Sequence, residues 1–399
     1  MTSLQTLDDR FSAQEHRFLI GIGLVLALRQ LVLLLALPFI ALFGSGLEGG
    51  TPALVGLSLG IYGLLQALLQ VPFGRASDAF GRKRMILAGT AFLVLGLYLA
   101  AVATDIATFI VGRALQGCGA VTAVAYAWIA DSTPPEKRNR AMGIGSAASG
   151  GAAIASFVAG PLLYGVLSLP QIFFICAGLA GVTMIYVAIT MDESPGRTPS
   201  APSPAGRPDL RPDGPFVRLI VSGFLLNFVL MAVCFIAPLL IDRELGAREL
   251  WKIFIPATLL GIAAMLGGTR LADAGHFKSV SSISFAAFAG TALCLLQGGV
   301  AALLLGTTLF MSGYLILAAL LPAAVSGLAD ASFRASATGG FYTAMFLGAF
   351  AGGTATGALW GIDPRAPAML MIAASLAGLA LVAMLPSPAL LSADRGKTC

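Results

Sequence analysis

Two arginines lie where an arginine is costly. Arg29 sits at the centre of an apolar run that begins near residue 18, and Arg113 lies inside another, Gly112-Arg113-Ala114-Leu115-Gln116-Gly117. An arginine in hydrocarbon costs about 2.5–3.5 kcal/mol or more, so it normally faces a cavity or a partner. At the helical rise, Arg29 is about 18 Å from one end of its run and Arg113 about 9 Å from the opposite face. Arg113 is shallow enough to snorkel outward or to face a cavity. Arg29 is too deep for that, which leaves a cavity or a partner. All nineteen Asp and Glu residues fall in loops or at helix ends. The partners left for Arg29 are water, polar groups such as Gln30 or Asn227, helix C-terminal dipoles, or a bound anion. The surplus positive charge points to an anionic or zwitterionic solute, or an amphiphile with a negative group.

Other polar side chains share these apolar runs: Gln66, Gln116, Tyr126, Asn227, Tyr314 and Tyr342, among apolar neighbours such as Phe224 and Met231. Together with Arg29, Gln30 and Arg113 they are the candidate cavity lining. Each could equally be a helix–helix hydrogen bond or face lipid. The remaining chemistry is excluded by pattern. Cys118, Cys176, Cys234 and Cys294 sit singly in apolar runs, Cys399 is the last residue, and His16 and His276 lie in polar segments. No disulfide framework, metal site or cofactor is indicated. There is no phosphate-cradling loop, nucleophile triad or HExxH, which leaves a nucleotide-driven pump or an intramembrane protease unsupported.

The elements that hold these residues must be membrane spans. Apolar residues make up 57% of the chain and charged residues 11%, too little charge for a water-exposed surface. Each span needs about 20 apolar residues. The pattern predicts spans at 18–43, 53–73, 85–103, 107–131, 141–164 and 170–191, then 216–241, 251–271, 279–297, 300–329, 335–360 and 366–386. The first is too long for a signal peptide and has Arg29 at its centre. The turn near Gly298–Gly299 is the least marked boundary.

Between the sixes, residues 192–215 hold seven prolines and no apolar periodicity, the composition of a disordered linker. The expected units are therefore a bundle at 1–191, the linker at 192–215, and a bundle with a short tail at 216–399. Internal echoes support duplication: Ile129-Ala130-Asp131 against Leu328-Ala329-Asp330, and Gly267 to Asp273 in the slot of the loop between spans 2 and 3. Seventeen of the 24 Lys and Arg residues fall on the side of the termini and four on the other. The positive-inside rule then makes both termini cytoplasmic. The basic residues lie in short loops, so the net charge of +5 reads as topology and not as nucleic-acid binding.

The loop between spans 2 and 3 reads Gly74-Arg75-Ala76-Ser77-Asp78-Ala79-Phe80-Gly81-Arg82-Lys83-Arg84. Glycines seven apart are expected to allow the reversal between two antiparallel spans. As G-x-x-x-D-x-x-G-R-K-R in this position, it resembles the signature loop of the major facilitator superfamily. Leu28-Arg29, Leu37-Pro38-Phe39, Gly60-Ile61-Tyr62-Gly63 and Gln70-Val71-Pro72-Phe73-Gly74 resemble the YajR-type branch of drug–proton antiporters. Arg113-x-x-Gln116-Gly117 matches the family's R-x-x-Q-G. The stretch to Gly160-Pro161 resembles its antiporter motif, with Ser156 for the first glycine and Tyr164 for the penultimate one; ordinary small-residue packing is the alternative there. The likeness is densest over 28–165. The YajR type carries an extra C-terminal domain, whereas this sequence runs about thirteen residues past span 12, so a function resting on that domain is not expected.

The resemblance implies an all-α membrane protein of twelve transmembrane helices in two pseudo-symmetric six-helix bundles, rocking about a midplane site. It also implies a conformational latch formed by Gly74, Asp78, Gly81, Arg82, Lys83 and Asp131. In it Asp78 faces the start of span 11 near 335–340, and Arg82 reaches Asp131. A carboxylate beside a helix N-terminus is favoured, and this contact bridges the halves only when the cytoplasmic side is shut. Proton coupling comes from the resemblance alone, with Asp131, Asp78 and Asp105 as the available carboxylates. The expected activity is export of a small amphiphilic or organic-anion solute by a monomer in a bacterial-type inner membrane, with protons and the lipid bilayer as its other partners. A facilitator or importer, or a non-transporting receptor or assembly partner, is the alternative.

Overall fold

The computed structural model describes residues 11–193, 214–329 and 334–385. Most of the expected linker (194–213), Asp330 and Cys399 lie outside the described residues. Twelve long helices run through the described residues. They are α1 (Ala13–Ser45), α2 (Pro52–Phe80), α3 (Arg82–Ala101), α4 (Ile106–Ser132), α5 (Pro135–Val166), α6 (Leu169–Thr190), α7 (Gly214–Leu245), α8 (Trp251–Leu271), α9 (Phe277–Gln297), α10 (Val300–Leu328), α11 (Arg334–Trp360) and α12 (Ala366–Ala383). Several outrun the predicted spans. Hydropathy marks only the length that crosses hydrocarbon, whereas α2 continues as helix through polar residues at its C-terminal end and α5 at its N-terminal end.

The packing is duplicated. In the first half α1 packs on α5 and α6, α4 on α2 and α3, and α3 on α6. In the second half α7 packs on α11 and α12, α10 on α8 and α9, and α9 on α12. Adding six to each helix number converts one set into the other. The halves meet through α2 with α11 and α5 with α8, two pairs that the same relation exchanges. The result is two pseudo-symmetric six-helix bundles.

The face that carries the start of α1 and the α2–α3 turn is called the near face, and the opposite one the far face. Near the far face the halves touch backbone to backbone. A Cβ on Gly56 would lie 2.4 Å from the Gly353 carbonyl oxygen, one on Gly60 2.7 Å from that of Phe350, and one on Gly63 2.5 Å from that of Phe346. Gly348 and Gly352 press in the same way on Phe224 and Phe228 of α7. Glycines four apart on two sides of α11 thus let it sit between α2 and α7. Across the other pair, Arg248 donates to the Gly165 carbonyl at 3.2 Å. Toward the near face, Gly74 of α2 and Gly339 and Gly340 of α11 have open space where a side chain would be. Among the described residues the halves are thus in backbone contact toward the far face, and open space lies at these three glycines toward the near face.

Among the described residues five reversals carry a positive φ, those at Gly49 and Gly246 (φ 72 and 92) and three more. Gly81 (φ 99) makes the whole α2–α3 turn, Gly275 (φ 95) the α8–α9 turn, and Gly298 and Gly299 (φ 72 and 79) the α9–α10 turn. Gly74 lies inside α2. The expectation that both glycines of the signature loop form the reversal is therefore corrected: α2 stays helical to Phe80, and one left-handed residue suffices.

Candidate functional site

Arg29 is buried in the first bundle at 8% exposure. One guanidinium nitrogen donates to the Gly119 carbonyl and another to the Tyr62 hydroxyl at 3.0 Å. The reason lies in α4, which is not one helix. It breaks into Ile106–Cys118 and Val121–Ser132, and at the break Ala120 N–H donates to the Cys118 carbonyl and Val121 N–H to that of Gly119. These two-residue steps are inverse γ-turns. The close approach of α3 accompanies them: a Cβ on Gly119 would meet the Gly89 carbonyl oxygen at 2.4 Å. A helix that ends in mid-membrane leaves carbonyls unpaired and the negative end of its dipole exposed. Arg29 is placed there.

Arg113 is fully buried. It donates to the Ser58 carbonyl at 3.3 Å and to Gln116 Oε1 at 2.6 Å, and its guanidinium lies 5.5 Å from the Tyr62 ring centre. Gln116 donates onward to the Gly96 carbonyl at 3.2 Å. Arg29, Arg113 and Gln116 are therefore brought together, with Tyr62 between the arginines. Tyr62 was not singled out for the site from the sequence. Its signal is spacing: Ser58, Tyr62 and Gln66 recur every four residues along one face of α2.

The other candidate cavity residues do not join this cluster, although Tyr342 lies within electrostatic reach of both Tyr126 and Tyr314. Gln66 and Asn227 are buried, each with a side-chain oxygen that has no partner among the described residues. Gln30 is half-buried. Tyr126 lies 3.3 Å from the Ser146 hydroxyl, Tyr314 stacks on Phe310 with its edge toward Phe157 of α5, and Tyr342 is 39% exposed.

At the α2–α3 turn, Arg82 is buried and holds two carboxylates, Asp78 at 2.6 Å and Asp131 at 3.0 Å, together with the Ser77 hydroxyl. The Asp78 side chain is 66% exposed. Lys83 donates its Nζ to the Ala188 carbonyl at 2.8 Å. Its backbone N–H donates to Glu193 at 2.8 Å, so the first residues of the expected linker fold back to cap α3. On the far face Asp105 caps α4 through Thr108. Those bonds hold its carboxyl below the ordinary carboxylate range, so Asp105 stays ionised near neutral pH and is a poor proton carrier.

In α5, a Cβ on Gly160 would lie 2.6 Å from the Leu35 carbonyl oxygen, and the Ser156 hydroxyl donates to Ala152 at 2.6 Å and to Leu31 at 3.2 Å. Gly160 and Ser156 thus set how closely α5 lies on α1, and Pro161 lies within the helix.

A sequence profile of the Major Facilitator Superfamily matches residues 18–353. The chain is 31% identical over 363 residues to the inner membrane transport protein YajR of Escherichia coli (strain K12), which covers 88% of this chain and 79% of that protein. It is 36% identical over 140 residues to the tetracycline resistance protein, class C, of Escherichia coli, 35% of each. Among solved structures, a D-xylose-proton symporter superposes with a TM-score of 0.74 at 12% identity, over 93% of this chain and 97% of that one. At that identity the likeness speaks for the fold.

Proposed function

Because the chain belongs to the major facilitator superfamily and is a multi-pass membrane transporter, we propose that it exports a small amphiphilic or organic-anion solute by alternating access, driven by proton antiport. The carrying observation is the asymmetry between the two faces. The α2–α11 glycine contacts bring the halves together toward the far side, while Gly74, Gly339 and Gly340 have open space toward the near side, where the Asp78 side chain stands exposed. The excess of Lys and Arg near the termini makes the near face cytoplasmic. This arrangement is then the state in which an exporter loads. The latch reading follows: when the near side shuts, Asp78 swings against the α11 N-terminus while Arg82 keeps its hold on Asp131.

Gln66 and Asn227 offer buried acceptors without partners among the described residues, and Gln30, Tyr126, Tyr314 and Tyr342 complete a mostly apolar lining. Both arginines are held by backbone carbonyls, which leaves the solute's negative group as the more specific half of the proposal. Among the described residues no carboxylate sits at mid-membrane, so Asp131 and Asp78 are the proton carriers on this reading. The test is transport by the purified chain in proteoliposomes against a panel of organic acids and amphiphiles. Export predicts accumulation driven by an imposed pH gradient. Solute counterflow that ignores the gradient would replace antiport with facilitation.

A further inference from the structure

A groove of about 390 Å³ opens between α1 and α5 at the near face, away from the site just described. Its walls are apolar, with Leu24 and Ile20 from α1 and Ile144 and Ala148 from α5. Its mouth holds Phe11, His16 and Arg140. Ile20 and Leu24 are 55% and 44% exposed. They lie on the side of α1 roughly opposite Ile22 and Leu26, which pack inward against α4, because successive residues are about 100° apart. The groove therefore looks out of the bundle, toward lipid.

The mouth is cationic and built. The Phe11 ring lies 5.1 Å from the Arg140 guanidinium and 5.8 Å from Lys137 Nζ, with its edge toward His16. Lys137 also pairs with Glu15 at 3.5 Å. The adjoining ends of α1 and α5 carry Arg17, Lys137, Arg138 and Arg140 against Glu15 and Glu136. An apolar trough at leaflet depth whose described rim residues carry net positive charge matches one chemistry, an acyl chain below a negative headgroup.

We propose that this groove holds an anionic phospholipid of the cytoplasmic leaflet, with its acyl chain along Leu24 and Ile144 and its phosphate at Arg140. The leaflet rests on the orientation proposed above; the binding does not. The experiment is native mass spectrometry of the full chain from nanodiscs containing equal phosphatidylglycerol and phosphatidylcholine. Wild-type protein is expected to retain phosphatidylglycerol preferentially. Arg140→Gln is expected to cut that retention about fivefold, the effect of one basic residue at a membrane surface. Ile144→Trp fills the trough without touching the charge and should cut it as well, whereas Lys278→Gln, in the first turn of α9, should leave it unchanged. Equal retention of the two lipids by the wild type, or retention unchanged in both groove variants, overturns the proposal. Because both leaflets of the nanodisc are alike, either result is independent of orientation.

Discussion

Arg29 of α1 donates to the carbonyl of Gly119, the residue at which α4 breaks. Each is the other's explanation. The break leaves a carbonyl unpaired in an apolar interior, and the guanidinium needs something to offset its desolvation. Arg29→Leu is therefore expected to lower thermal stability, since an unpaired buried carbonyl costs about 1–3 kcal/mol. Arg29→Lys should recover part of the loss, keeping the charge but not the fork that reaches Gly119 and Tyr62 together. Thermal unfolding in detergent checks this. A more stable Arg29→Leu protein would mean that the arginine is an unpaired charge and the carbonyl contact is not its anchor.

Gly60 and Gly353 give a second prediction, on the far side. The nearest neighbour of a Cβ at Gly60 is backbone, 2.7 Å away, and backbone cannot rotate aside as a side chain can. Gly60→Ala should disfavour the state shut at the far face, and Gly60→Val should prevent it. Single cysteines placed near the far-face ends of α2 and α11 would report this as faster labelling from that side. Labelling no faster than in the parent would show that α2 and α11 tolerate separation.

Asp78 gives a third. In this arrangement it is exposed and touches Arg82, so Asp78→Asn should leave the near-open state intact. The state shut at the near face loses a charge from the α11 N-terminus, worth about 0.3–1 kcal/mol. Labelling of near-face cysteines should therefore rise, by up to about fivefold at 1 kcal/mol. Unchanged near-face labelling would sink the latch.

Much of this arrangement was legible in the sequence because lipid is a strict solvent. Twelve apolar runs and the split into sixes follow from the length and polarity that a bilayer demands, and the signature loop from its resemblance to a family pattern. What was hidden is what apolar composition does not encode. The α4 break leaves no polar mark, since Gly119 sits in a small-residue run that reads as packing. Tyr62 lies among glycines and was read only as part of a family pattern. Glu193 was assigned to a proline-rich linker, although it reaches back more than a hundred residues to cap α3. The carbonyl partners of Arg29 and Arg113 escaped for the same reason: every residue has a carbonyl, so only geometry can say which one is free.

Gly81 and Glu193 give the last prediction, because two separate causes make glycine necessary at one position. Its φ of 99° strains any other residue, at roughly 1–3 kcal/mol. A Cβ there would also lie 2.7 Å from the Glu193 carboxyl carbon, pushing that carboxylate off the Lys83 N–H. Gly81→Ala should therefore destabilise through both routes, and Glu193→Ala alone through the second, by less. In the double variant the Glu193 contact has already been weakened. Its loss should cost less than in the wild type, and the two effects should sum to more than the double variant shows. Thermal unfolding of the four proteins measures this. Strict additivity would mean that Glu193 does not meet position 81, and that backbone strain alone fixes the glycine.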